Sequence, residues 1–217
     1  MGWKASCIFV KSPEFADDSK VLHSLGIDKV DAIGTETFDN SIYPKPRYIY
    51  IGTYNNTHII CYEGIPSECY SIPKQLTEFE KGLTSIYTDA EIFIFSLHSV
   101  VNHYAFALID CSMKVRAKCG DADNPLIIDY GDPLEEEKEL LARAKVDSKG
   151  QRLFYFDDFP NEPFTEDQVG ENFIFSISAR YLGDSLDAYN QELFEEEIMR
   201  GYKIKKANIF SSIFKRL

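Results

Sequence analysis

The chain has 217 residues, 44% of them hydrophobic and 14% aromatic. That is enough to bury a core without disulfide or metal staples, and it excludes a disordered chain. With 23 basic and 35 acidic residues the net charge is −12. Proteins that neutralise a phosphate backbone carry the opposite sign, so no nucleic-acid partner is expected.

The charge is unevenly placed. Residues 200–217 hold Arg200, Lys203, Lys205, Lys206, Lys215 and Arg216 and no acid, a net of +6, which leaves −18 for the first 199 residues. No apolar run is long enough for a transmembrane segment, and the opening residues lack a signal-peptide h-region, so a cytoplasmic protein is expected. The five cysteines (Cys7, Cys61, Cys69, Cys111 and Cys119) have neither CxxC pairing nor zinc spacing, and read as small buried hydrophobes in a reducing compartment.

In chain order, Lys4–Lys11 reads as a strand. A short helix follows, capped by Asp17 or Asp18, with Val21, Leu22 and Leu25 inward and Gly26 as its stop. The strand reading of Trp3–Val10 outweighs the myristoylation template that Met1–Ser6 formally matches. A strand or turn at Val30–Glu36 precedes a hairpin, Arg47–Tyr54 and Thr57–Glu63, joined by Asn55-Asn56. These two asparagines with Thr57 also form a sequon, which reads as a turn. A second helix is expected from Pro73 to Tyr87, with Leu76, Phe79, Leu83 and Ile86 on one face.

The runs Ala90–Val101, Tyr104–Asp110, Lys114–Cys119 and Leu126–Asp129 have connections too short for parallel crossovers, so they predict an antiparallel meander. Asp132-Pro133-Leu134-Glu135 starts a helix that fades by Lys145, and Arg152–Phe156 is a further strand. Thr165-Glu166-Asp167-Gln168 is a capping box opening a helix with Val169, Phe173, Ile177 and Tyr181 on one stripe, closed by Gly183. Another helix is expected with Leu193, Phe194 and Ile198, stopping near Gly201. Ile209, Phe210, Ile213, Phe214 and Leu217 repeat the amphipathic pattern.

The chemistry-bearing residues are sparse. The densest polar cluster is Ser96 to Tyr104, where His98, Asn102 and His103 flank a turn and could polarise a substrate or grip a ligand, with Arg116 as a further candidate. The competing reading has these side chains bonded to backbone at the turn. A Cys111 or Cys119 thiolate would need His98 or His103 within reach. The segment Gly120–Pro125 fails as a calcium loop because Pro125 and Leu126 occupy required positions, and reads as a turn. The acid runs Glu135–Glu137 and Glu195–Glu197, with Asp157-Asp158, read as solvated faces or as a surface for a basic partner. No metal cluster, P-loop, GxSxG, HExxH or GxGxxG occurs, so neither a cofactor nor a metal is expected.

The elements His98-Ser99-Val100-Val101-Asn102, Tyr104-Ala105-Phe106, Val115-Arg116, Gly120-Asp121 and Tyr130-Gly131-Asp132-Pro133-Leu134-Glu135-Glu136-Glu137 together resemble a pattern of uncharacterised bacterial protein families. The resemblance implies a domain of unknown function and supplies no catalytic residues.

These features predict one α+β domain over 1–217, strand-rich in 1–160 and helical in 165–217: an antiparallel β-meander sheet packed with helices, with a helical C-terminal region. The leading functional expectation is a non-enzymatic, acidic interaction module for a basic protein partner, of immunity type. The alternatives are an enzyme or binder of a small molecule or metal with its site around His98–His103, and peripheral membrane attachment through the basic C-terminus.

Overall fold

The computed structural model describes residues 2–205. In chain order its elements are β1 (Ser6–Lys11), α1 (Asp18–Ser24), β2 (Val30–Thr37), α2 (Phe38–Ser41), β3 (Tyr48–Tyr54) and β4 (Thr57–Tyr62). Then come α3 (Glu68–Ser71), α4 (Glu78–Ile86), β5 (Glu91–His98), β6 (His103–Asp110), β7 (Met113–Gly120) and β8 (Ile128–Tyr130). The last third holds α5 (Glu135–Ala142), β9 (Ala144–Val146), β10 (Arg152–Phe156), β11 (Phe159–Thr165), α6 (Glu166–Leu182) and β12 (Ile198–Ile204).

The strands form a nine-stranded antiparallel sheet in the order β2-β12-β3-β4-β1-β5-β6-β7-β8, and a small sheet β11-β10-β9. The first strand in sequence therefore lies at the centre, between β4 and β5. This position explains its unbroken apolar run, because both of its faces are covered. Alternate residues serve opposite layers. Cys7 and Phe9 face an aromatic core that includes Phe93, Phe95, Phe106 and, from α6, Phe173, Ile177 and Tyr181. Ile8 and Val10 face an aliphatic core with Ile60, Ile92, Ile94 and Ile109, closed by Val21 and Leu22 of α1 and Leu83 of α4. The fold is thus an α+β arrangement with helices on both faces of the sheet.

The Asn55-Asn56 hairpin forms as expected, with both residues at positive φ (45° and 57°), the conformation a two-residue primed turn demands. The meander β5-β6-β7-β8 also forms in the expected order. The stripe Val169, Phe173, Ile177 and Tyr181 is buried along α6, and Gly183 ends that helix at φ 90°.

Several local expectations change. The helix anticipated from Pro73 starts at Glu78, because Thr77 and Glu80 exchange hydrogen bonds as a capping box (3.2 and 2.7 Å). The helix after Pro133 starts at Glu135, where the Glu137 carboxylate accepts the Leu134 N–H at 2.9 Å. Phe159–Thr165 adds a strand that pairs with β10.

The largest change is at residues 193–201. Leu193 and Phe194 are buried in a single turn, Glu192–Glu196, but Ile198–Ile204 is a strand, not a helix. It pairs with both β2 and β3, and hydrogen bonding on two sides overrides a short amphipathic pattern. The stripe Ile209–Leu217 lies outside the described residues. Four cysteines are buried as expected. Cys111 is exposed, in the β6–β7 turn, where it and Ser112 both have positive φ.

Candidate functional site

The β5–β6 connection is the four-residue turn Ser99–Asn102. His98 and His103 are the last register pair of the two strands, so their side chains are cross-strand neighbours. Ser99–Val101 form one 3₁₀ turn, and Asn102 closes it in the left-handed region at φ 49°, ψ 25°. Asn tolerates that conformation because its short amide can bond locally.

Beneath this turn lies a half-open cleft of about 550 Å³. His98 and His103 line it together with Lys4, Glu63, Asp121 and Asp123, while Ile65, Leu97, Val100 and Val101 supply apolar wall. Val100 is 81% exposed and forms part of the rim. Asp121 is held in place by its own turn: its Oδ1 accepts the N–H groups of Asp123 (3.0 Å) and Asn124 (2.8 Å). Gly120–Pro125 is therefore the Asx-type turn its sequence suggests. Burial lowers the His103 pKa, Asp121 opposing and His98 reinforcing that shift, so this imidazole is neutral at pH 7 and offers one donor and one acceptor.

Two contacts tie the turn to α6. The Asn102 amide donates to Asp167 Oδ2 at 2.8 Å, and the Ser99 hydroxyl donates to Glu171 Oε2 at 2.6 Å. The Trp3 N–H in turn donates to Ser99 Oγ at 2.9 Å. Asn102 thus faces α6 and is absent from the cleft wall, which fits neither bonding to turn backbone nor a direct grip on a ligand in the main cleft.

Arg116 is elsewhere. It is fully buried on β7 within a cluster of three cations and three carboxylates. Its guanidinium grips Glu137 through two hydrogen bonds (Nε–Oε2 2.7 Å, Nη2–Oε1 2.6 Å), meets Asp129 at 2.7 Å and donates to the Tyr130 carbonyl at 2.8 Å. Lys118 lies 2.6 Å from Glu166 and 3.9 Å over the Phe173 ring. Arg152 bridges Glu166, at 2.9 Å, to Asp129. Burial pulls the Lys118 pKa down, with Glu166 opposing it. Gly131, at φ 83°, lets the chain pass the Val115 carbonyl so closely that a Cβ would sit 2.0 Å from it.

Sequence reasoning missed Lys118, Asp129, Glu137, Arg152 and Glu166. Lys114-Val115-Arg116-Ala117-Lys118 alternates like a strand with one solvated face, but a bulge at Val115 sends Lys114 to the other layer. There it meets Glu80 at 2.8 Å. Glu137 likewise contradicts the solvated reading of its acid run: Glu135 is exposed, while Glu137 is buried. One signal was available, since Glu166 sits at i, i+3, i+4, i+7 spacing with Val169, Gly170 and Phe173.

Cysteine chemistry finds no support in this geometry. Cys111 lies at the far end of β6 from His103, about 23 Å away by strand rise, and Asp110 raises its thiol pKa. Cys119 belongs to the aliphatic core and burial raises its pKa. Among the described residues no group of three or more His, Cys, Asp or Glu side chains is placed to hold a metal, and no helix is long and apolar enough to cross a membrane.

No curated protein and no solved structure matches the chain. A family model described as a family of unknown function (DUF6928) matches residues 13–181, which include β5, β6, β7 and most of α6. The chain belongs to this family.

Proposed function

We propose that the chain is a binding module for a small polar ligand, seated in the cleft beneath the β5–β6 turn. The observation that carries this reading is the meeting of His98, His103, Glu63, Asp121 and Asp123 around one cavity of about 550 Å³. Small-molecule sites are typically clefts of roughly 300–1,000 Å³ with apolar walls and a few convergent polar groups. Three carboxylates against the single Lys4 favour a ligand that is neutral or cationic and rich in hydrogen-bond donors. The cleft offers no activated nucleophile, so binding is the activity proposed.

A thermal-shift screen of small polar amines, polyols and sugars tests this reading. Compounds that raise the melting temperature of the wild type and fail to raise that of His98→Ala and His103→Ala support it. Compounds that stabilise all three proteins equally contradict it.

One specific surface favours a second reading, association with a basic protein. Residues 184–196 carry Asp184, Asp187, Glu192, Glu195 and Glu196 and no base. All five acids are exposed beside Tyr189, which is 67% exposed. A rim of like charge around an aromatic anchor suits such a partner. A pull-down that recovers one basic protein with the wild type but not with Glu195→Lys/Glu196→Lys supports it, and equal recovery by both rejects it.

A further inference from the structure

Behind the β5–β6 turn, separate from the main cleft, is a second cavity of about 30 Å³ lined by Ser99, Asn102, His103, Asp167, Gln168 and Glu171. That is room for one water or one small ion. Asp167 and Glu171 stand four residues apart on α6, so their carboxylates share one face and repel each other. Among the described residues neither joins an ion pair, although Glu166 next to them pairs with both Lys118 and Arg152.

Asp167 is 7% exposed, and its Oδ1 is buried with no hydrogen-bond partner. Oδ2 holds the Asn102 amide and one Glu171 oxygen holds the Ser99 hydroxyl, which leaves one oxygen of each carboxylate uncommitted. A buried, unpaired carboxylate oxygen is costly unless something compensates it. The N-terminus of α6 supplies only about half a positive charge, against two negative ones.

We propose that this cavity binds a single hard cation, with Asp167 Oδ1 and Glu171 as its anionic ligands. The Asn102 amide oxygen, which also lines the cavity, and water complete an all-oxygen shell of the kind calcium and magnesium prefer. The ion fastens the turn that carries His98 and His103 to the first turns of α6. It is independent of whether the main cleft takes a ligand, because the ligating oxygens line a different cavity.

The test uses the full chain with Ca²⁺ and Mg²⁺ as probes, in calorimetric titration and in melting curves against a chelator control, alongside Asp167→Asn and Glu171→Gln. Both variants keep the shape of the side chain and relieve the repulsion. The wild type is expected to take up one equivalent of at least one ion saturably. Its melting temperature should rise by about 5–10 °C at a hundredfold excess over Kd. In chelator the variants are expected to melt at or above the wild-type temperature and to lose that rise. Absence of saturable uptake of both ions by the wild type overturns the proposal, as does an equal ion-dependent rise in the two variants.

Discussion

Arg116 and Glu137 meet as a planar fork, two hydrogen bonds of 2.7 and 2.6 Å between side chains that are both shut off from solvent. The pair joins the meander strand β7 to α5. The same Glu137 carboxylate also accepts the Leu134 N–H, so one group both neutralises a buried cation and sets where the helix begins. Charge alone does not make such a pair stabilising, since desolvation offsets much of the attraction. Breaking it is another matter.

Glu137→Gln leaves Arg116 and Lys118 facing a cluster short of one negative charge. A loss of about 3–5 kcal/mol in urea denaturation is expected for a broken buried pair. The double change Arg116→Met/Glu137→Leu should recover most of it. A single-variant loss below about 1 kcal/mol would mean the cluster is as screened as a surface ion pair.

Gly170 of α6 crosses the Tyr104 ring so closely that a Cβ would lie 2.1 Å from Cδ1. Helix propensity alone predicts that Gly170→Ala stabilises by up to about 1 kcal/mol. The contact predicts the opposite sign, a loss of about 1–3 kcal/mol, because Tyr104 is buried and its hydroxyl donates to the Pro125 carbonyl. Comparing the denaturation midpoints of wild type and variant decides between them.

Much of this architecture was legible in the sequence, for identifiable reasons. Cys7–Val10, the Asn55-Asn56 turn, the β5–β8 meander and the Val169–Tyr181 stripe each combine a local pattern with a local connection, and each formed. Ile198–Ile204 did not follow its local pattern, because its partners β2 and β3 lie more than 140 residues away and pairing on both sides decides its state. At the site, the sequence singled out His98 and His103, which share the cleft, and Asn102, which instead holds α6. Arg116 was singled out without its partners. A buried salt bridge is built from residues distant in sequence, and the bulge at Val115 that parts Lys114 from Arg116 and Lys118 has no residue signature of its own.

His58 gives the molecule a pH dependence. It is buried, with Nδ1 2.5 Å from the Tyr87 hydroxyl, and burial lowers its pKa from 6.5 to about 4 against the pull of Asp18. Between pH 6.5 and 4 the unfolded chain takes up a proton here that the folded chain refuses. Stability therefore falls as pH drops through that window, by about 3 kcal/mol from this group. His58→Gln should flatten the dependence of unfolding free energy over pH 4–6.5. An unchanged slope would assign it to other groups.

Asn102 combines a left-handed backbone with its amide bond to Asp167. Asn102→Gly keeps the backbone freedom and loses only the amide, whereas Asn102→Ala loses both. The expected order of stability is wild type, then Gly, then Ala, with steps of about 1 kcal/mol. Equal values for Gly and Ala would show that the turn is not held in this conformation.

The central claim is that His98 and His103 form the wall of one ligand cleft. The most direct measurement is an NMR titration that follows the imidazole C–H signals of His98, His103 and His58 while a compound from the stabilising set is added. The account predicts saturable shifts at His98 and His103 with one common Kd, and a stationary His58, which lies in another part of the sheet. Stationary His98 and His103 signals at saturation, or equal movement of all three, would contradict it.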